Sequence, residues 1–401
     1  MLKDLNNLST FTRIVNNQEY YFKNGLLMIK ILIKKMKILT SIKPNKNINE
    51  KFIILDIETR IIDNIKTPYC ICIFDGIKAY SFYLTDFNNP EDIIENAIFS
   101  LMKSKYNGYK VYIHNFSNFD GVFLLNILAS FCPDSNFNLD PIINNGNFIN
   151  LKLNFDKYNI YFRDSYLLLP LSLRVLAEAF KVEAKGHFPF KFVNENTLDY
   201  VGLTPDISFY EDISNIEYNK LVSENWSLKN ECIKYCIQDC ISLHQVIQKF
   251  NNFIFDLNQL NINNFPTLPS LAFGIYRSKY LKDFNIPIIS GQILSDIKEG
   301  YTGGSTSLYI PYGKILFHYD VNSLYPSVML NNQMPIGNIK FFEGDITQID
   351  PNVFGFFKCE IIAPDNLNIP ILQTKVKTSG GSRTISPSST SSVTTYRLPL
   401  P

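Results

Sequence analysis

Residues 52–58 read FIILDIE, and the fold is decided there. A short apolar run rich in β-branched residues reads as a buried strand. Asp56 and Glu58 stand two apart, so strand alternation puts both carboxylates on one face. Leu55 and Ile57 then point into a core. Two acids side by side on a buried strand repel each other, and a divalent cation would relieve that repulsion. In isolation such a pair reads more often as an edge strand with a solvated acidic face.

Working outward, YCICIFD (69–75) and AYSFYL (79–84) read as strands, and PEDIIENAIFSLM (90–102) as a helix with Pro and acids at its start. KVYIHN (110–115) is a strand and FDGVFLLNILASF (119–131) a helix. LKLNFDKYNIYFRDS (151–165) reads as a hairpin leading into the helix LSLRVLAEAF (171–180), and NECIKYCIQDCISLHQVIQKF (230–250) as a long helix. A linker rich in Asn and Pro (258–269) precedes the helix LAFGIYRSKYL (271–281), the Gly-rich turn EGYTGGS (299–305), a strand KILFHYD (314–320) and a turn-helix NSLYPSVML (322–330). The domains expected are a basic N-terminal extension (1–50), an α/β nuclease-like domain (51–255), a second unit (256–387) and a Ser/Thr-rich disordered tail (388–401). The run GLLMIKILIKKMKIL (25–39) carries four lysines and is too short to span a bilayer, so a basic surface helix is expected there, with a cleaved organelle-type leader as the lesser alternative and no membrane partner.

The 401 residues are 46% hydrophobic and 14% aromatic, ample for a large core. The net charge of +1 excludes a bulk basic field. Any nucleic-acid surface must therefore be local and lean on aromatics and metal ions. Seven cysteines without a CxxC pair, and no secretory signal, point to free thiols in a reducing compartment. Heavy use of Asn, Ile, Lys and Phe suits A+T-rich coding, as in an organelle or extrachromosomal element, so a mitochondrial location is expected.

Two further acids turn the Asp-x-Glu strand into a site. Asp120 lies at a strand-to-helix junction, where an Asp by itself reads as an N-cap. Asp239 lies in a helix with Tyr235 one turn before it on the same face; alone it reads as a solvent-facing acid. Together Asp56, Glu58, Asp120 and Asp239 are the parts of a two-metal phosphodiester-cleaving site, which takes carboxylates from several elements to hold ions about 3.5–4 Å apart. Tyr235 would orient the attacking water or the scissile phosphate.

IILDIET (53–59), HNFSNFDG (114–121) and YCIQD (235–239) resemble, in order, the three exonuclease motifs of family B DNA polymerases, in the protein-primed branch of phages and mitochondrial linear plasmids. The resemblance implies an α/β fold: a ribonuclease H-like 3′→5′ exonuclease domain followed by a partial family B polymerase palm. It implies two Mg²⁺ or Mn²⁺ ions on Asp56, Glu58, Asp120 and Asp239, with Tyr235 assisting catalysis. It implies that Asn115 and Phe119 hold the 3′ end of single-stranded DNA. DSYLLLPLSL (164–173) resembles a segment that contacts the single strand through Ser-Leu; here Ser165 is followed by Tyr166. Lys191 in GHFPFKF reads by itself as a surface lysine; the resemblance offers it as a counterpart of the family's catalytic lysine. GYTGG (300–304) resembles the loop linking the two halves, with Tyr301, Gly303 and Gly304 near template DNA; alone it reads as a tight turn.

YDVNSLYPSVM (319–329) resembles the first polymerase motif and is the most specific string in the chain. It implies that Asp320 binds catalytic metal, that Ser323 and Leu324 cradle a deoxynucleoside triphosphate, and that Tyr325 packs under its sugar. KTSGGSRTISP (377–387) also resembles a family segment. The family's later Lys-x-x-x-Asn-Ser-x-Tyr-Gly and Asp-Thr-Asp motifs do not occur, so a truncation or frameshift near residue 388 is expected, with exonuclease activity but no polymerisation by this chain alone. Primer-template DNA and a terminal protein primer are the implied partners. A rival from another class is a non-catalytic single-stranded DNA-binding relic.

Cys232, Cys236, Cys240 and His244 recur every four residues. Their span of about 18 Å is too long for one ion, and no remote cluster offers to complete a shell. A buried thiol stripe packed on the sheet is expected instead.

Overall fold

The computed structural model describes residues 10–15, 18–23, 26–33, 36–131, 136–144, 146–183, 186–211, 213–282, 286–301, 304, 310, 312–334, 339–343, 352, 354–357, 374–378, 381–385 and 396–399. The chain forms two compact units, Ser41–Lys282 and the remainder.

In the second of these, the chain opens with three strands, β1 (Thr10–Val15), β2 (Gln18–Lys23) and β3 (Leu26–Ile33), paired antiparallel in that order. The segment expected as a basic helix is thus largely β3. Its Ile29, Ile31 and Ile33 alternate with other residues at the strand period, and β-branched side chains favour a pleated ladder over a helix.

The Ser41–Lys282 unit is built on strands β4 (Phe52–Ile62), β5 (Ile65–Phe74), β6 (Ala79–Tyr83), β7 (Lys110–Ile113), β8 (Phe137–Asn144), β9 (Asn147–Phe155) and β10 (Tyr158–Asp164). They form one seven-stranded sheet in the order β6-β5-β4-β7-β10-β9-β8. β4, β5 and β6 are antiparallel; β7 runs parallel to β4, and β10 parallel to β7. Asp63 and Asn64 both have positive φ and close the β4–β5 hairpin as a two-residue turn. A bulge follows between Glu58 and Thr59. Pro141 sits in β8, at the sheet edge, where a missing donor breaks no ladder on its open side.

Helices cover both faces. α1 (Pro90–Leu101) starts at Asn89, whose side chain accepts from Asp92 N. With α2 (Asp120–Ser130) it buries Ile93, Ile98, Leu124 and Leu128 against Ile53, Leu55, Ile71 and Ile73. On the opposite face lies α5 (Leu228–Asn258), 31 residues long, reached through α3 (Leu173–Phe180), α4 (Asn215–Leu221) and the short β11 (Val201–Gly202) and β12 (Trp226–Ser227). It packs Cys232, Cys236, Cys240 and Leu243 against Phe52, Ile54, Cys70 and Cys72. The expected thiol stripe on the sheet is there, and the acidic face of β4 is roofed rather than open to solvent. α6 (Leu268–Lys279) completes the unit. The loop before β4 also belongs to it, because Asn49 N donates to Asn261 Oδ1 and Asn251 Nδ2 donates to Asn49 O.

In the other unit, α7 (Gly291–Glu299) precedes the GYTGG loop and α8 (Leu324–Asn331) follows Ser323, which has positive φ. Residues 314–320, expected as a strand, have no ladder partner among the described residues; Ile315, Leu316, Phe317 and Tyr319 are all at least 78% exposed. A strand needs a neighbour to share its backbone hydrogen bonds. β13 (Lys340–Glu343) joins β3, and β14 (Phe354–Phe357) pairs with a strand inside the expected disordered tail, β17 (Tyr396–Pro399). β15 (Thr374–Thr378) and β16 (Gly381–Ile385) form a hairpin. The rest of 388–401 lies outside the described residues. No described helix is long and apolar enough to cross a membrane.

Candidate exonuclease site

β4 presents Asp56 and Glu58, both half-buried, on the face roofed by α5. In the β4–β5 ladder Asp56 lies opposite Cys72 and Glu58 opposite Cys70. Residues directly opposite in an antiparallel pair share a face, so a row of two acids runs beside a row of two thiols. From above, α5 contributes Tyr235, Cys236 and Asp239, all buried. The Cys236 thiol donates to Asp56 Oδ2 at 3.6 Å, and ligand atoms of Asp56, Glu58 and Cys236 lie within 4.8 Å of one another.

The third element is the turn from β7 into α2. Asp120 opens α2 and is 7% exposed. Burial, then the neighbouring Asp56 and Asp164, push its carboxyl well above the usual carboxylate range. Burial, then the charges of Asp239, Glu58 and Asp56, hold the Tyr235 phenol protonated far above its ordinary range. Phe188 and Phe190 pack on the Tyr235 ring at 5.4 Å each. The four acids foreseen from the sequence therefore meet from three elements. Hard carboxylate oxygens crowded together, with Asp120 shifted toward its protonated form by burial and then by its acidic neighbours, are a donor set suited to Mg²⁺ or Mn²⁺.

Gly121 lets the turn close: a Cβ there would sit 2.8 Å from Phe116 O. Asn115 has φ of 62° and accepts from Asn118 Nδ2 at 2.7 Å. Phe119 is 47% exposed, with Lys66 Nζ 4.5 Å from its ring centroid. Both residues border the turn that ends at Asp120. Ser165 is fully buried, its Oγ 3.0 Å from His114 Nδ1 and 3.2 Å from Ile113 O, so its hydroxyl cannot itself reach a bound strand. Lys191 is exposed and 3.6 Å from Glu211, in the segment whose Phe188 and Phe190 touch Tyr235.

Among residues of the other unit, Asp320, Ser323, Leu324 and Tyr325 are exposed around the start of α8. A Cβ on Gly304 would lie 3.8 Å from the Tyr325 hydroxyl, and Tyr301 is exposed two residues after α7. Gly303 lies outside the described residues.

Sequence reasoning missed Asp164 and Cys236. Asp164 is 1% exposed and accepts from Ser117 N at 3.0 Å and Tyr166 N at 2.9 Å, tying the 115–119 turn to the end of β10. An Asp closing a strand and followed by Ser was its only signal. Cys236 sits inside YCIQD, but its helical neighbours drew attention to the stripe instead.

A family model described as DNA polymerase type B, organellar and viral, matches residues 100–396. A probable DNA polymerase of Neurospora intermedia is 36% identical over 428 residues, covering 95% of this chain and 44% of that protein. One from Ascobolus immersus is 34% identical over 406 residues, covering 95% and 33%. The DNA polymerase of Streptococcus phage Cp-1 is 24% identical over 246 residues. Among solved structures, Phi29 DNA polymerase complexed with primer-template DNA and incoming nucleotides aligns over 79% of this chain and 48% of that one, at 18% identity and a TM-score of 0.45. The chain thus spans less than half the length of the two fungal relatives it matches almost end to end. On the family match over residues 100–396, the chain belongs to the organellar and viral type B DNA polymerases.

Proposed function

We propose that this chain carries the 3′→5′ exonuclease of a DNA-replicating, protein-primed type B polymerase, together with the first part of its palm. The meeting of Asp56, Glu58, Asp120 and Asp239 around Tyr235 carries the reading. Those acids would hold two divalent ions, Mg²⁺ or Mn²⁺, which supply an activated water and stabilise the departing 3′ oxygen. Tyr235, kept protonated, can donate a hydrogen bond to water or phosphate. Asn115 and the exposed Phe119 ring would seat the terminal nucleotides, the ring by stacking. Lys66 and Lys191 supply local positive charge that the near-neutral chain lacks in bulk.

In the second unit, Asp320 and the backbone at Ser323 and Leu324 would serve metal and deoxynucleoside triphosphate, with Tyr325 under the sugar and Tyr301, Gly303 and Gly304 along the template. Primer-template DNA and a terminal protein are the proposed partners of the whole polymerase, and a mitochondrial element its proposed home.

Asp56→Ala is expected to abolish Mg²⁺-dependent degradation of an end-labelled single-stranded oligonucleotide while leaving oligonucleotide affinity within a few-fold. Wild-type cleavage that persists in Asp56→Ala would remove the metal assignment. Binding with no cleavage by the wild type would leave a DNA-binding relic.

A further inference from the structure

The thiols beside the acidic row form a second donor cluster, of different chemistry. Cys70 and Cys72 stand two apart on β5 and share a face; Cys232 and Cys236 stand four apart on α5 and share another. The packing of α5 on β5 brings the two pairs together. Cys70 Sγ and Cys72 Sγ are 4.0 Å apart, and Cys236 Sγ completes a triad whose sulfurs all lie within 4.8 Å of one another. Cys232, one turn before Cys236, packs in the same buried cluster as Cys70. All four are fully buried. Sulfurs around zinc at about 2.3 Å stand about 3.8 Å apart along a tetrahedral edge, close to the 4.0 Å between Cys70 and Cys72. A strand pair facing a helix pair also supplies the remote ligands that the helix alone lacks.

We propose that the Cys70, Cys72 and Cys236 triad, with the neighbouring Cys232 turning in as fourth ligand, forms a buried tetrathiolate site for a thiophilic divalent ion of the zinc and cadmium class, clamping α5 to β5. Loading displaces four thiol protons to solvent and leaves four metal–sulfur bonds. Because the sulfurs are closed to water, the ion is acquired as the chain folds. The site does not depend on nuclease activity. It does set the seating of α5, and with it Tyr235 and Asp239 over Asp56 and Glu58. Cys236 also touches Asp56, so thiol and carboxylate clusters share a wall.

The full chain would be produced in medium supplied with Zn²⁺ or Co²⁺ and purified reduced through a chelator wash, which strips ions from the accessible carboxylates. About one zinc per chain is expected by elemental analysis. The cobalt form should show a thiolate-to-metal charge-transfer band in the near ultraviolet and the visible bands of tetrahedral cobalt. Cys70→Ser/Cys72→Ser should lose both metal and bands, and the milder Cys70→Ser should shift the bands. Cys240→Ser, outside the four, and Asp56→Ala should keep them. A washed wild type without thiophilic metal overturns the proposal, as does a spectrum unchanged in Cys70→Ser. Metal lost in Asp56→Ala but kept in the double serine variant also overturns it, by placing the ion on carboxylates. Loss of nuclease activity in Asp56→Ala with cobalt bands intact would keep the two sites separate.

Discussion

Asp120 can hold its place only because residue 121 has no side chain. A methyl group on Gly121 would press to 2.8 Å on Phe116 O and 3.2 Å on the Phe148 ring, both in the buried floor of the turn. Gly121→Ala should cost about 1–3 kcal/mol in denaturant unfolding, the range for overpacking a tight site. Nuclease activity should fall further than that loss alone implies, because the turn carries Asp120. An unchanged midpoint would mean the turn can relax. A different residue governs acid stability. His244 is half-buried against Phe52 and Phe74, with ring centroids at 4.7 and 5.2 Å. Burial lowers its pKa, with Glu50 and Asp75 opposing. The unfolded ring takes up its proton near pH 6.5, so between that value and the lowered one the unfolded chain binds more protons. Stability is therefore whole above about pH 6.5 and declines as pH falls below it. His244→Phe, which keeps the ring stacking, should flatten that decline in thermal melts from neutral to mildly acid pH.

At the scale of elements, the three-part convergence was legible because each part is local. An Asp-x-Glu strand, a strand-to-helix Asp and a helical Tyr-x-x-x-Asp each announce themselves by spacing. What the sequence hid was pairing. Counted across the Asp63–Asn64 turn without a bulge, Glu58 falls opposite Tyr69 and Asp56 opposite Ile71. The bulge after Glu58 shifts the ladder by one and turns Cys70 and Cys72 to the acidic face. The N-terminal run misled for another reason: its lysines suggest a helix surface, and only its partner strands select a strand. The 115–119 turn depends on Asp164, whose two oxygens hold Ser117 N and Tyr166 N. Asp164→Ala should cost about 1–3 kcal/mol for the stranded donors. It should also weaken binding of single-stranded ends, measured by fluorescence anisotropy. Tight binding with unchanged stability would deny it a positioning role.

At the scale of the molecule, the Ser41–Lys282 unit contains both cores of its sheet and every acid of the proposed exonuclease site. Expressed alone it should melt cooperatively and retain the nuclease. A broad, non-cooperative melt would show that its stability is borrowed. The bare run around Ile315, Leu316, Phe317 and Tyr319 has a practical consequence. A contiguous stretch of exposed apolar and aromatic side chains with no ladder partner among the described residues is a template for cross-β self-association. The full chain in solution should therefore grow into higher-order particles as its concentration rises, visible by light scattering. Truncation at Lys282, or an aspartate in place of Phe317, should keep it monodisperse.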